Sequence, residues 1–200
     1  MTKETKTEQL KQICKEVIDL KRSPLYDYRV KNNYYAVLGE GSHDAKVMFV
    51  GEAPGLNEAK QGRPFCGAAG KILDELLESI ALPRKDVYIT NIVKDRPPSN
   101  RDPLPEEIAL YAPFLMRQIE IIQPKVIATL GRISMGFTFE KFGLQDKLQL
   151  ISKLHGEVLD AKASYGPVRI VALYHPAVGT YNPKTIKTMK KDFQIIKKFL

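Results

Sequence analysis

The chain has 200 residues, 44% of them apolar and 27% charged, with a formal net charge of +8 and two cysteines. That size suits one domain able to bury about 70% of its unfolded surface, and no apolar run approaches the roughly 20 residues of a membrane-spanning helix. Met1-Thr-Lys-Glu-Thr-Lys-Thr7 lacks the apolar stretch of a signal peptide, which points to a cytoplasmic protein, and Cys14 and Cys66 are too isolated to form a metal-ligand spacing.

In chain order, Leu10, Ile13, Val17 and Leu20 recur at helical spacing and predict a first helix over residues 7–22, ended by Pro24. Residues 24–44 read as irregular, with a turn at Gly39-Glu-Gly-Ser42. A buried-looking strand over 46–51 then runs into a loop containing Pro54 and Gly55. Ile72, Leu73, Leu76, Leu77 and Ile80 predict a helix over 68–81, stopped before Pro83. The strand Val87-Tyr-Ile-Thr-Asn91 follows, and after it a loop from Lys94 to Pro103 too rich in proline for regular structure. Pro105 in a first turn, with Glu106 and Glu107 complementing the positive end of the dipole, starts a helix to about residue 122. Lys125–Gly131 reads as a third strand turning into another helix, and Val168–Tyr174 as a fourth strand ending at His175-Pro176. The last helix would bury Ile186, Met189, Phe193, Ile196 and Leu200 and turn six lysines to solvent.

This order predicts the α/β class: a three-layer α/β/α sandwich around a central four-stranded, mostly parallel sheet. The whole chain, 1–200, reads as one domain, with 1–36 a helix and irregular extension and 37–200 the core, and as a monomer by default.

Right-handed crossovers bring the ends of the parallel strands to one rim, where such sheets bind ligands. Glu52 to Phe65 follow the first strand, Asn91 ends the second, Gly131 and Arg132 follow the third, and His175 follows the fourth. The N-terminal amides of the helix after Gly67 would face the same crevice. A carboxylate, an aromatic ring, a side-chain amide and an imidazole suit a planar heterocycle: the ring stacks on Phe65, Asn91 reads one donor and one acceptor along its edge, and His175 donates to developing negative charge. No serine or cysteine nucleophile with a base is evident, and His43 and His155 read as structural. The net positive charge favours a polyanionic partner.

Six ordered motifs then carry a resemblance. Gly-Glu-Gly at 39–41, Gly-Glu-Ala-Pro-Gly at 51–55, Gly-Arg-Pro-Phe at 62–65, Tyr-Ile-Thr-Asn-Ile-Val-Lys at 88–94, Arg-Pro-Pro-Ser-Asn-Arg at 96–101 and His-Pro-Ala at 175–177 resemble the uracil-DNA glycosylase superfamily, most closely its family 4 type. The resemblance implies a DNA repair enzyme that flips uracil out of DNA and hydrolyses the N-glycosidic bond with water, leaving an abasic site. It implies that Phe65 stacks on uracil, that Asn91 bonds the O4 and N3–H edge, that His175 contacts O2, and that Glu52, Ala53, Pro54 and Gly55 frame the ring and sugar. Glu58 would sit near C5 and exclude the thymine methyl. Glu52, His175 and Asn91 are the catalytic candidates, with Glu52 positioning water or stabilising the cationic sugar.

The resemblance also implies DNA contacts. Lys94, Arg96, Asn100 and Arg101 would touch phosphates of single- or double-stranded DNA, and Val178 or Tyr181 would be the wedge that fills the stack, where the family has two leucines and an arginine. Family 4 members hold a [4Fe-4S] cluster on four cysteines, two near the N-terminus and two flanking the Arg-Pro-Pro loop. Here the flanking positions read as Asp95 and about Tyr111, so the expectation is no cluster, no metal and no other cofactor, with packing by the first helix and Tyr26, Tyr28, Tyr34 and Tyr35 filling the volume. Two alternatives are a glycosylase for hypoxanthine or xanthine, and a non-catalytic binder of damaged or single-stranded DNA.

Overall fold

The computed structural model describes residues 5–200. Helix α1 (Lys6–Ile18) starts at a capping box in which Thr5 accepts from the Glu8 amide and Glu8 from the Thr5 amide. It stops at Ile18, short of residue 22, because a run of turns through Ser23 leads into Pro24, whose ring disfavours helix in the residue before it. Helix α2 (Tyr26–Lys31) and the two-residue strand β1 (Glu40–Gly41) lie in the stretch expected to be irregular. They are followed by β2 (Val47–Gly51), the short α3 (Leu56–Gln61), α4 (Ala68–Glu78) and β3 (Tyr88–Asn91). The long helix α5 (Pro105–Ile122) begins at Pro105, with the Glu107 carboxylate accepting from the Leu104 amide at 2.7 Å. Then come β4 (Val126–Leu130), α6 (Arg132–Lys141), α7 (Ile151–Leu154), β5 (Val158–Ala163), β6 (Gly166–Leu173), α8 (Ala177–Tyr181) and α9 (Lys184–Ile196).

Among the described residues the sheet has six strands in the order β1-β3-β2-β4-β6-β5, which corrects the expected four. The four foreseen strands form its parallel centre, with Gly51 opposite Asn91 and Leu130 opposite Leu173. Both additions are antiparallel edges: β1 on β3, and β5 folded back on β6. Edge strands satisfy one ladder only and need no continuous apolar run, so their sequence signal is weak.

Period-two alternation sorts the strands between two layers. Val47 and Phe49 of β2 pack with Leu73, Leu76 and Leu77 of α4 and with Met189 and Phe193 of α9. Met48 and Val50 face the other way, onto Ile13 and Val17 of α1, Leu115 and Ile119 of α5, and Phe139 of α6. Phe49 and Phe193 stack at 5.7 Å across the first interface, and burying each such side chain contributes about 1.5–3 kcal/mol. No helix among the described residues is long and apolar enough to cross a membrane.

Strand order sets where a ligand fits. From β2 the chain crosses to β3 on one side, and from β3 it returns to β4 on the other, so a crevice opens beyond the carboxyl ends of these strands.

Candidate active site

At that crevice lies a cavity of about 90 Å³ lined by Ala53, Gly55, Glu58, Phe65, Asn91 and His175, six of the expected residues, together with Ala69. Ala69 was not foreseen; the run of small residues Gly67-Ala-Ala-Gly70 was its only signal. Glu52 and Pro54 frame the same loop but do not line the cavity itself.

Two glycines shape the pocket. A β-carbon on Gly51 would stand 2.3 Å from the Asn91 side-chain oxygen and 2.8 Å from the Phe65 ring, so both groups lie directly over this strand end. A β-carbon on Gly70 would stand 1.9 Å from the Phe65 carbonyl. That close approach lets Phe65 adopt φ of +47°, a backbone state ordinarily unfavourable for a large side chain. Its ring is tilted against the His175 imidazole with centroids 5.6 Å apart.

The two amides immediately before α4 are already engaged. Glu58 accepts from the amides of Cys66 at 3.0 Å and Gly67 at 2.9 Å, so its carboxylate braces the loop that carries Phe65 while lining the cavity.

Three polar groups define the chemistry. Asn91 is 2% exposed and its side-chain oxygen has no hydrogen-bond partner among the described residues, a buried acceptor left open toward the cavity. His175 accepts the Ala177 amide on Nδ1 at 3.1 Å, which leaves the ring proton on Nε2. Burial pulls its pKa down to about 4, against a weaker upward pull from Glu58, so the ring is a neutral donor at pH 7. Glu52 behaves oppositely: burial raises its pKa to about 7, the Asp102 carboxylate adds to the rise, and the Arg132 guanidinium opposes it. Asp102 and Arg132 are themselves ion-paired. Arg132 was expected on the rim without a role and Asp102 was not expected there; they reach Glu52 only because the loop before α5 folds over the N-terminus of α6.

The expected phosphate contacts divide. Lys94 is corrected: it is fully buried, its ammonium donating to Thr90 Oγ1 at 2.7 Å, the Asn91 carbonyl at 2.6 Å and Gln118 Oε1 at 2.6 Å. Three acceptors from β3 and α5 satisfy all its donors, so the side chain points into the protein behind Asn91 rather than toward DNA. Lys94→Met removes three buried hydrogen bonds, leaving Thr90 and Gln118 their bonds to Leu38 and to each other, and lowers stability by about 2–4 kcal/mol, seen as a reduced midpoint in urea with unchanged slope; a midpoint equal to wild type would show that the amine is not needed to close this network.

Arg96 is also mostly buried, donating to Asn100 Oδ1 at 2.7 Å and to Tyr28 Oη at 3.0 Å. It shapes the loop from inside. Arg101 forks onto Glu107 at 2.8 and 2.6 Å yet stays partly exposed, and Asn100 is exposed. Val178 is half-buried in α8, whereas Tyr181 at the end of that helix is 87% exposed. His43 bonds Thr7 at 2.8 Å and His155 bonds Asp192 at 2.8 Å, both away from the cavity.

A one-ring cavity at the switch point of an α/β sheet, with an open amide edge, a neutral imidazole donor and a carboxylate poised near neutrality, defines a pocket for an extruded nucleic-acid base. The profile of the uracil DNA glycosylase superfamily matches residues 38–199. A type-4 uracil-DNA glycosylase of Sulfurisphaera tokodaii is 46% identical over 189 residues, covering 94% of this chain and 83% of its own. Those of Archaeoglobus fulgidus and Saccharolobus solfataricus are each 43% identical over 189 residues, again 94% of this chain, and 92% and 85% of their own. The chain belongs to the uracil-DNA glycosylase superfamily.

Proposed function

We propose that the cavity receives a uracil flipped out of DNA and that water cleaves its N-glycosidic bond, leaving an abasic site. The chain is a uracil-DNA glycosylase, a DNA repair hydrolase of N-glycosyl bonds, by its family and by relatives of that activity along nearly its whole length. The unpaired Asn91 oxygen carries the base assignment. Uracil supplies the N3–H that this acceptor lacks, and the Asn91 amide nitrogen donates to O4; cytosine presents the reverse pattern and leaves donor against donor. Phe65 stacks on the ring, and Glu58, held rigid by two amides, stands against C5 and excludes a methyl group. Ala53, Pro54 and Gly55 frame the ring and sugar.

As the bond breaks, charge gathers on uracil O2, where the His175 Nε2–H donates, and an electron-poor sugar forms, which the Glu52 carboxylate stabilises while holding the attacking water. No lysine lines the cavity among the described residues, and Lys94 is tied up behind Asn91; this supports water rather than an amine as nucleophile. Asn100 and Arg101 contact phosphates of a single or double strand, and Tyr181, exposed at the end of α8 beside His175's loop, fills the gap in the stack more readily than Val178. The protein acts as a cytoplasmic monomer.

End-labelled single-stranded and duplex oligonucleotides carrying one uracil, treated with alkali after incubation, test the reading. Cleavage by the native protein that Asn91→Ala and His175→Ala reduce by about a hundredfold or more supports it; no cleavage of either substrate rejects uracil excision, and preferential release of hypoxanthine moves the assignment to that base. Gly51→Ala provides a steric check, because its methyl displaces both Asn91 and Phe65. It lowers kcat/KM by at least about a hundredfold, measured on the single-stranded oligonucleotide, with a circular dichroism spectrum unchanged from wild type.

A further inference from the structure

The resemblance raises the question of an iron–sulfur cluster, and the residues at that place do not fit one. Asp95 and Tyr111, which stand where two ligands would be expected, are each 0% exposed and meet directly, Tyr111 Oη donating to Asp95 Oδ2 at 2.7 Å. Tyr111 Oη also lies 2.9 Å from Ser23 Oγ, in the N-terminal segment. From the same segment Arg29 brings its Nε to 3.1 Å from Asp95 Oδ1, an ion pair rather than an aligned hydrogen bond. The place therefore holds hydroxyls, one carboxylate and a guanidinium, whereas such a cluster is held by thiolates. The two cysteines cannot supply them: Cys14 lies in α1 on one face of the sheet and Cys66 in the pocket loop, and burial pushes both thiols up, away from the thiolate form.

We infer that the buried chain Arg29–Asp95–Tyr111–Ser23 is a clip that does the fastening here with side chains alone, joining the α1–α2 segment to the Arg96–Arg101 loop beside the pocket, and that the protein needs no iron–sulfur group. The bonds run continuously across this joint. Arg29 Nη2 donates to the Ile18 carbonyl at the end of α1 at 2.6 Å, so one guanidinium spans α1 and Asp95. One residue further along, Arg96 reaches back to Tyr28 of α2 and forward to Asn100. The Val37 amide donates to the Lys94 carbonyl at 2.7 Å, fixing the loop's start from the same side. A buried pair of this kind is unforgiving, because removing one partner strands a charge or a polar group out of water.

The test has two arms, neither of which depends on the uracil reading. The full-length protein is purified under anaerobic conditions from iron-supplemented cells and assayed for iron, acid-labile sulfide and visible absorption. The expected result is iron and sulfide far below one per chain; stoichiometric iron and sulfide overturn the inference. In the second arm, amide exchange of residues 94–101 is measured in Tyr111→Phe, which keeps the packing, and in Arg29→Met, Asp95→Asn and their double variant. Tyr111→Phe speeds exchange by about fivefold to tenfold, and the double variant is no worse than the more damaging single, since both remove one interaction. Exchange in Tyr111→Phe equal to wild type, or fully additive effects in the double variant, overturns the clip. Should Arg29→Met not fold, the Tyr111→Phe result still decides.

Discussion

His175→Ala lowers the rate of uracil release by about 10²–10³-fold at neutral pH, with affinity for the uracil-containing strand little changed. The size follows from what the ring contributes and when. Its Nδ1 accepts the Ala177 amide, so the one proton sits on Nε2 and faces the cavity. Burial holds its pKa at about 4, so no proton need be lost or gained before it donates. A neutral donor interacts weakly with the uncharged base and strongly with the anion that forms as the bond breaks, and that difference appears in kcat rather than KM. The loss is therefore constant from about pH 5 to 9, and His175→Gln, which restores an N–H, recovers part of the rate. Single-turnover rates on a single-stranded oligonucleotide give the answer; a variant within a few-fold of wild type removes His175 from the mechanism.

The pH profile isolates Glu52. Its pKa of about 7 lies above the ordinary carboxylate value because burial and then the Asp102 charge disfavour the anion, with Arg132 pulling the other way. In the proposed mechanism the anion is the form that stabilises the sugar cation and holds water, so kcat/KM is expected to rise about tenfold per unit up to pH 7 and level off above it. His175 titrates far lower and Asn91 not at all; burial also pulls the Lys94 amine behind Asn91 well down, and what separates Glu52 from it is the response to the neighbours of the carboxylate. Glu52→Gln flattens the profile and lowers the plateau by about 10²-fold or more. Two further changes move the inflection without touching the carboxylate: Asp102→Asn lowers it and Arg132→Gln raises it. A wild-type profile that is flat from pH 5.5 to 8 would falsify this assignment.

How far the residues alone led is clearest at three places. The central strands were legible because Val47-Met-Phe-Val50 and Val126-Ile-Ala-Thr-Leu130 are apolar on both faces, as strands covered by helices must be. The edge strand β5 was not: Val158-Leu-Asp-Ala-Lys-Ala163 is half-polar and short of punctuation, and it becomes a strand because β6 offers it a ladder from Gly166 back to Val171. Helix α2 likewise has only six residues and a single mostly buried member, Arg29, so its stability comes from partners distant in sequence rather than from its own period.

The candidate site divides in the same way. That Phe65, Asn91 and His175 would meet around one cavity, with Glu52 in the loop beside it, follows from their positions at the ends of parallel strands, which connectivity brings to one rim. Distances and protonation do not follow from position. Gly51 and Gly70 make room for a strained Phe65, the Ala177 amide selects the tautomer of His175, and Asp102 with Arg132 tunes Glu52.

Lys94 marks the boundary most sharply. In the sequence it is one more cation beside an arginine-rich loop; in the fold Thr90 and Gln118 provide acceptors that take it wholly inside. The four central strands, the superfamily and the chemical types at the rim were legible in the residues alone, because periodicity and motif order are local properties of the chain. Which charges are buried, which are paired and which remain free to act emerges with the fold, because desolvation and pairing depend on neighbours that the chain brings together only by folding.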